Sequence, residues 1–164
     1  MSDSATGNEH GSPARPEPGQ DPVTSTPEAP EVLSEAESLV LVSSVGFGRL
    51  AYSGRYGLTV MPVNYKLHEG SILFRTAHNS PTDEDLRTGM PGAEYQVAFE
   101  VDHIDTDTRE GWSVLIQGDA HHVDTEAERA SVLAAGLESW AGGEREHFLR
   151  IFPIRITGRR LRRS

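Results

Sequence analysis

Residues 46–76 read GFGRLAYSGRYGLTVMPVNYKLHEGSILFRT. Three short runs of β-favouring side chains lie in this stretch, at 49–52, 58–67 and 71–76, separated by Ser53-Gly54 and Glu69-Gly70. Such runs, rich in Val, Ile, Leu, Tyr and Thr and bounded by glycine turns, mark an antiparallel meander. In the middle run Leu58, Val60, Pro62, Asn64 and Lys66 share one face, and Thr59, Met61, Val63, Tyr65 and Leu67 the other. Pro62 has no N–H to give a ladder, so this strand should run along an edge or an open rim there. A rim with free backbone groups can hold a planar heterocycle; an edge strand guarded by proline is the plainer account. The third run ends in Arg75-Thr76 and passes into the polar loop AHNSPTDED. Arg75, Thr76, Asn79, Ser80 and Thr82 offer a guanidinium, an amide and three hydroxyls within eight positions. That donor set suits a phosphate.

Outward from this meander, three more strands are expected at 95–103, 112–123 and 151–157. Gly118 allows a bulge in the second of these, and Pro153 places the third at an edge. Two helices flank them. Ser34 with Glu37 forms a capping box ahead of Ala36, Leu39, Val40 and Val42. Thr125 with Glu128 forms another ahead of a stripe of Ala127, Ala130, Leu133, Ala134 and Leu137, over about 125–140. One or two helical turns are expected at 82–87, with Asp83, Glu84 and Asp85 as a solvated helix start rather than a metal site. No βαβ rhythm and no glycine fingerprint after a strand appear, so a Rossmann domain is not expected. The residues point to a mainly β domain with flanking helices: six short, mostly antiparallel strands in a small closed or split barrel.

The chain has 164 residues, enough for one domain. Residues 1–31 hold six of the ten prolines and almost no large apolar side chains, so they form an expected disordered tail. The domain proper is expected over 32–160, with a basic tail at 161–164. A net charge of −10 argues against general nucleic-acid binding, despite the arginines near the C-terminus. No apolar run approaches the roughly 18 residues of a membrane span. No secretory leader is apparent, and there is no cysteine. A cytoplasmic location, away from membranes, is expected.

Nucleophile chemistry has no visible seat, since Gly-x-Ser-x-Gly is absent. His121 and His122 are adjacent on a strand and should point to opposite faces, so a shared metal is not expected, and Asp102-His103 has the same problem. His78 lies beside the proposed anion cradle; an exposed loop histidine without function is the plainer account.

In order along the chain, GRLAYS, VMPVNY, FRTAHNS, VAFEVD, GWSVLIQGDAHHV and ITGRR resemble the pyridoxamine 5′-phosphate oxidase-like family of flavin-binding split-barrel proteins, over about residues 33–160. The resemblance implies a six-stranded antiparallel split β-barrel, a homodimer, and FMN in a cleft at the dimer interface. It implies that Val60, Met61, Pro62, Val63 and Asn64 edge the flavin ring, partly through backbone. It implies that Arg75, Thr76 and Ser80 hold the phosphate, that Trp112 and Ser113 lie near the ring or phosphate, and that Arg159 approaches from the partner. Relatives of this kind carry a lysine soon after the RTA segment. Here Pro81, Thr82 and three acidic residues follow Ser80. Weakened FMN binding, a deazaflavin such as F420 instead, haem held by His78, His121 or His122, or a barrel used only for protein contacts are the alternatives. The expected activity is a flavin-dependent oxidoreduction of a small molecule, without a discernible second phosphate site for vitamin B6 chemistry; a non-catalytic sensing dimer is the rival.

Overall fold

The computed structural model describes residues 29–87, 94–136 and 147–162. Among them seven strands and three helices follow one another: β1 (Glu31–Leu33), α1 (Glu35–Ser43), β2 (Phe47–Gly54), β3 (Gly57–His68), β4 (Ser71–Thr76), α2 (Pro81–Asp85), β5 (Tyr95–Asp105), β6 (Glu110–His122), α3 (Glu126–Ala134) and β7 (His147–Leu161). The disordered-tail expectation for residues 1–28 and the end of the basic tail lie outside the described residues. Among the described residues, regular structure runs from Glu31 to Leu161, one residue beyond 32–160 at each end.

The sheet order is β1-β7-β4-β3-β2-β5-β6, and β6 pairs with β7 again. Six strands therefore close into an antiparallel ring, with β1 added to the outside of β7. The meander β2-β3-β4 is the expected one. Between β3 and β4, Glu69 and Gly70 both take left-handed backbone (φ 49 and 74). A two-residue hairpin needs positive φ at both central positions, and the glycine supplies the second at little cost. Inward-facing Leu50, Phe74, Phe99, Ile116, Leu149 and Ile151 are fully buried. Each such side chain contributes about 1.5–3 kcal/mol of burial.

The extra residue of the bulge is Ile154. Gln117 pairs with Arg155 and Gly118 with Pro153, so Ile154 has no partner in β6. At Pro153, β7 lies past the end of its pairing with β4 (Ile72↔Ile151) and short of its pairing with β1 (Gly158). The proline thus sits in a locally unpaired gap of an interior strand.

The capping of α1 is as the sequence suggests: Ser34 accepts from the Glu37 amide, and the Glu37 carboxylate accepts from the Ser34 amide. Its packed residues, however, are Ser38 and Val42; Ala36 and Val40 are exposed. Ser38 meets Gly158 of β7, where a Cβ would collide with the serine hydroxyl. In α3 the expected apolar stripe is overturned. Ala127, Ala130, Leu133 and Ala134 are exposed, while Val132 is buried against Leu73, Val123 and Phe148; Leu137 lies outside the described residues. Polar contacts turn the helix: Glu128 meets His121 at 3.3 Å, and Ser131 meets His68 at 3.0 Å. No helix among the described residues is long and apolar enough to cross a membrane.

Candidate functional site

The pleat of β3 sorts its residues as the alternation predicts. Met61 and Val63 face inward; Val60, Pro62 and Asn64 face out. β4 pairs with β3 only from Tyr65 to His68, so over 57–64 β3 has β2 alone beside it among the described residues. The open rim at Pro62 is therefore present. Met61 and Val63 are committed to the interior, since the Met61 sulfur accepts from Thr82 Oγ1 at 2.7 Å and Val63 is buried. A ligand at this rim would meet their backbone only. Asn64 is different: its side-chain oxygen is, among the described residues, the one buried side-chain polar atom with no hydrogen-bond partner. A buried acceptor without a donor costs about 1–3 kcal/mol, so such atoms are normally met by something.

At the exit of β4, Thr76 Oγ1 and Ser80 Oγ lie 2.7 Å apart. Ser80 also caps α2, accepting from the Asp83 amide at 3.2 Å. The two hydroxyls meet each other across the loop between β4 and α2. Arg75 lies half-buried, its guanidinium 5.5 Å from the centre of the Phe148 ring. The acidic residues that follow are neutralised locally. Arg55 donates to Asp85 at 2.6 Å and to Glu84 at 2.7 Å. Asp83 turns inward and is fully buried, which corrects the expectation of a solvated helix start.

Asp83 gathers a cluster that sequence spacing did not reveal. Its Oδ1 meets His122 Nε2 and His147 Nδ1, each at 2.8 Å. Its Oδ2 accepts from Arg87 at 2.8 Å and from the Asn79 amide at 2.9 Å. Burial alone would raise its pKa; the hydrogen bonds from His147, His122, Asn79 and Arg87 outweigh this and hold it well below the usual carboxylate range. His147 in turn meets His78, Nε2 to Nδ1, at 2.9 Å. His121 points the other way, stacking on Phe152, as the strand alternation required. Nothing in the sequence pattern singles out His147. The β4–β7 register, which pairs it with Thr76, is what brings it here.

Trp112, Ser113 and Arg159 stand elsewhere. They line a cleft of about 710 Å³ on β5, β6 and β7, together with Glu100, Asp102 and Leu115. Arg159 Nε donates to Ser113 Oγ at 3.1 Å. Val60 lines a second cleft of about 600 Å³ with Leu58, Gln96, Ala98, Gln117 and Ile154. Neither cleft is lined by Arg75, Thr76 or Ser80. The expected site residues thus fall at three places on one barrel: the β3 rim, the β4 exit and the β5–β6–β7 cleft.

The family described as pyridoxamine 5′-phosphate oxidase matches residues 34–160. An uncharacterized protein of Mycobacterium tuberculosis is 28% identical over 129 residues, 79% of this chain and 84% of its own. Among solved structures, the FAD binding protein from Mycobacterium smegmatis is similar with a TM-score of 0.67 and 32% identity, over 80% of this chain and 100% of that one. A conserved protein of unknown function from Corynebacterium diphtheriae is similar with a TM-score of 0.64 and 28% identity, over 82% and 99%.

Proposed function

This chain belongs to the pyridoxamine 5′-phosphate oxidase family, and from that premise we propose that it is a flavin-binding oxidoreductase acting on a small molecule, with FMN as its cofactor. The observation that carries the proposal is the β3 rim. It joins an open strand edge to a buried, undonated Asn64 oxygen. A flavin ring presents a planar edge of alternating donors and acceptors and would meet both. The FAD-binding relative supports a flavin rather than another planar ligand.

Each residue then has a task. The backbone of Val60, Met61, Pro62 and Val63, with the Asn64 side chain, would hold and orient the ring edge. Arg75, Thr76 and Ser80 would bind the phosphate, the pairing of Asp85 and Glu84 with Arg55 keeping those carboxylates from repelling it. Bound there, the flavin supplies the redox step. A homodimer would complete the site. Leu58, Val60 and Ile154 are 92%, 66% and 67% exposed, an apolar surface that a second copy would cover. In that arrangement Trp112, Ser113 and Arg159 of one subunit would face the rim of the other.

The test begins with the absorbance spectrum of the purified protein before and after FMN, followed by gel filtration, with F420 and haem in parallel. Flavin bands that survive filtration are the expected result. Arg75→Ala should then weaken FMN binding by about tenfold to a hundredfold, the worth of one charge-assisted hydrogen bond of about 1.5–3 kcal/mol. Undiminished affinity in that variant removes the phosphate assignment. Steady oxidation of NADH or NADPH by the loaded protein separates an enzyme from a sensor.

A further inference from the structure

Four side chains from four parts of the chain converge beside the β4 exit: His78 of the β4–α2 loop, Asp83 of α2, His122 at the end of β6 and His147 at the start of β7. We propose that His78, Asp83 and His147 bind one divalent transition-metal ion of the zinc, cobalt or nickel kind, with His122 holding the Asp83 carboxylate.

The ligand atoms of His78, Asp83 and His147 all lie within 4.8 Å of one another. Metal–nitrogen and metal–oxygen bonds of about 2.0–2.2 Å place tetrahedral neighbours roughly 3.3–3.5 Å apart. The contacts here are 2.8 Å from Asp83 to both His122 and His147, and 2.9 Å from His147 to His78. The two His147 contacts use opposite nitrogens of its ring, so one ion takes only His147 Nε2 beside His78 Nδ1, and an Asp83 oxygen, within 4.8 Å, then closes in by up to about 1.5 Å to complete the set. The donor set is imidazole with one carboxylate, which selects zinc-like ions over calcium or magnesium, whose ligands are oxygen.

His78 is exposed, so an ion has an entry path. Its position is fixed by a tight turn in which the Ser80 amide donates to the Ala77 carbonyl and Asn79 takes a φ of 55. The opposing charge is Arg87, 2.8 Å from Asp83 Oδ2 and half-exposed; its side chain would swing into solvent as the ion enters. The site would tie the Thr76–Ser80 loop to β6 and β7, and it stands whether or not a flavin binds.

Full-length protein without a polyhistidine tag, stripped with chelator and free of flavin, is titrated with Co²⁺ alone and read by its visible d–d absorption. One equivalent per chain is expected. His147→Ala should abolish the band, and His78→Ala should weaken binding by at least about tenfold. His121→Ala, on the opposite side of β6, should bind as the parent does. Because His147→Ala could disturb folding, Zn²⁺ is also added during thermal unfolding: it should raise the melting temperature of the parent and not that of His78→Ala, whose altered side chain is exposed. Absence of a Co²⁺ band at micromolar protein, or a band and a zinc-induced stabilisation that survive in His78→Ala, would overturn the site and leave a hydrogen-bonded strut.

Discussion

At Asn64 a single oxygen distinguishes a site from a surface. It is buried without a donor in the flavin-free protein. Replacing it with Leu, of similar branched shape, removes an unsatisfied polar atom, so the variant should be more stable by about 1 kcal/mol, the low end of the penalty for such an atom. Flavin affinity should fall in the same variant. Urea unfolding and flavin titration read the two effects. Loss of stability with unchanged affinity would assign Asn64 to the scaffold. This residue was named from the sequence as part of a rim, but its missing partner could not be. Alternation places Asn64 on the outer face; that its oxygen is nonetheless buried without a donor shows only in three dimensions. Asp83 teaches the converse. Three consecutive acidic residues after a capping serine look like a solvated helix start, and Glu84 fits that description. Asp83 does not, because its partners His122 and His147 stand 39 and 64 positions away.

Among the elements, the strands of the meander and the helix caps were legible because each depends on neighbours in sequence: turn glycines, alternation, a hydroxyl three residues from a carboxylate. The packed faces of the helices were not. In α1 the buried residues are Val42, which the expected face includes, and Ser38, which it does not; Ser38 donates to the Ser34 carbonyl at 2.8 Å and lies against Gly158. A polar residue in contact with a glycine two strands of logic away gives no periodic signal. In α3 two histidine contacts choose the face, and the alanines turn outward. The α1 contact is testable. Gly158→Val would force its side chain against Ser38 and Leu33, and should cost about 1–3 kcal/mol of stability in denaturant unfolding, the usual cost of overpacking. An unchanged midpoint would mean that α1 sits more loosely on β7 than the contact implies.

For the molecule as a whole, the six strands of the ring, their antiparallel order and a barrel were expected from pattern, while the extra strand β1 and the pairings that close the ring were not. Nothing local announces that β6 pairs with β7 along nearly its whole length, or that β1 adds to the outside of β7. The apolar outer surface is the feature to test at this scale. Leu58→Asp should leave the core intact, because Leu58 is 92% exposed, yet yield monomers by light scattering and lose flavin together with the dimer. A dimer that persists with the aspartate in place would move the subunit contact to another face.

The position of β7 in the ring bears on how the molecule is made. It pairs with β1, β4 and β6, all of which precede it, and the pairing of its Arg160 with Glu31 of β1 joins opposite ends of the domain. During synthesis β4 and β6 must therefore wait with bare edges until β7 leaves the ribosome. Contacts that span the chain close slowly, and unpaired edges recruit other chains. A nascent chain stalled before β7 would be a strong client for chaperones, and the barrel would form in a late, concerted step after translation rather than strand by strand.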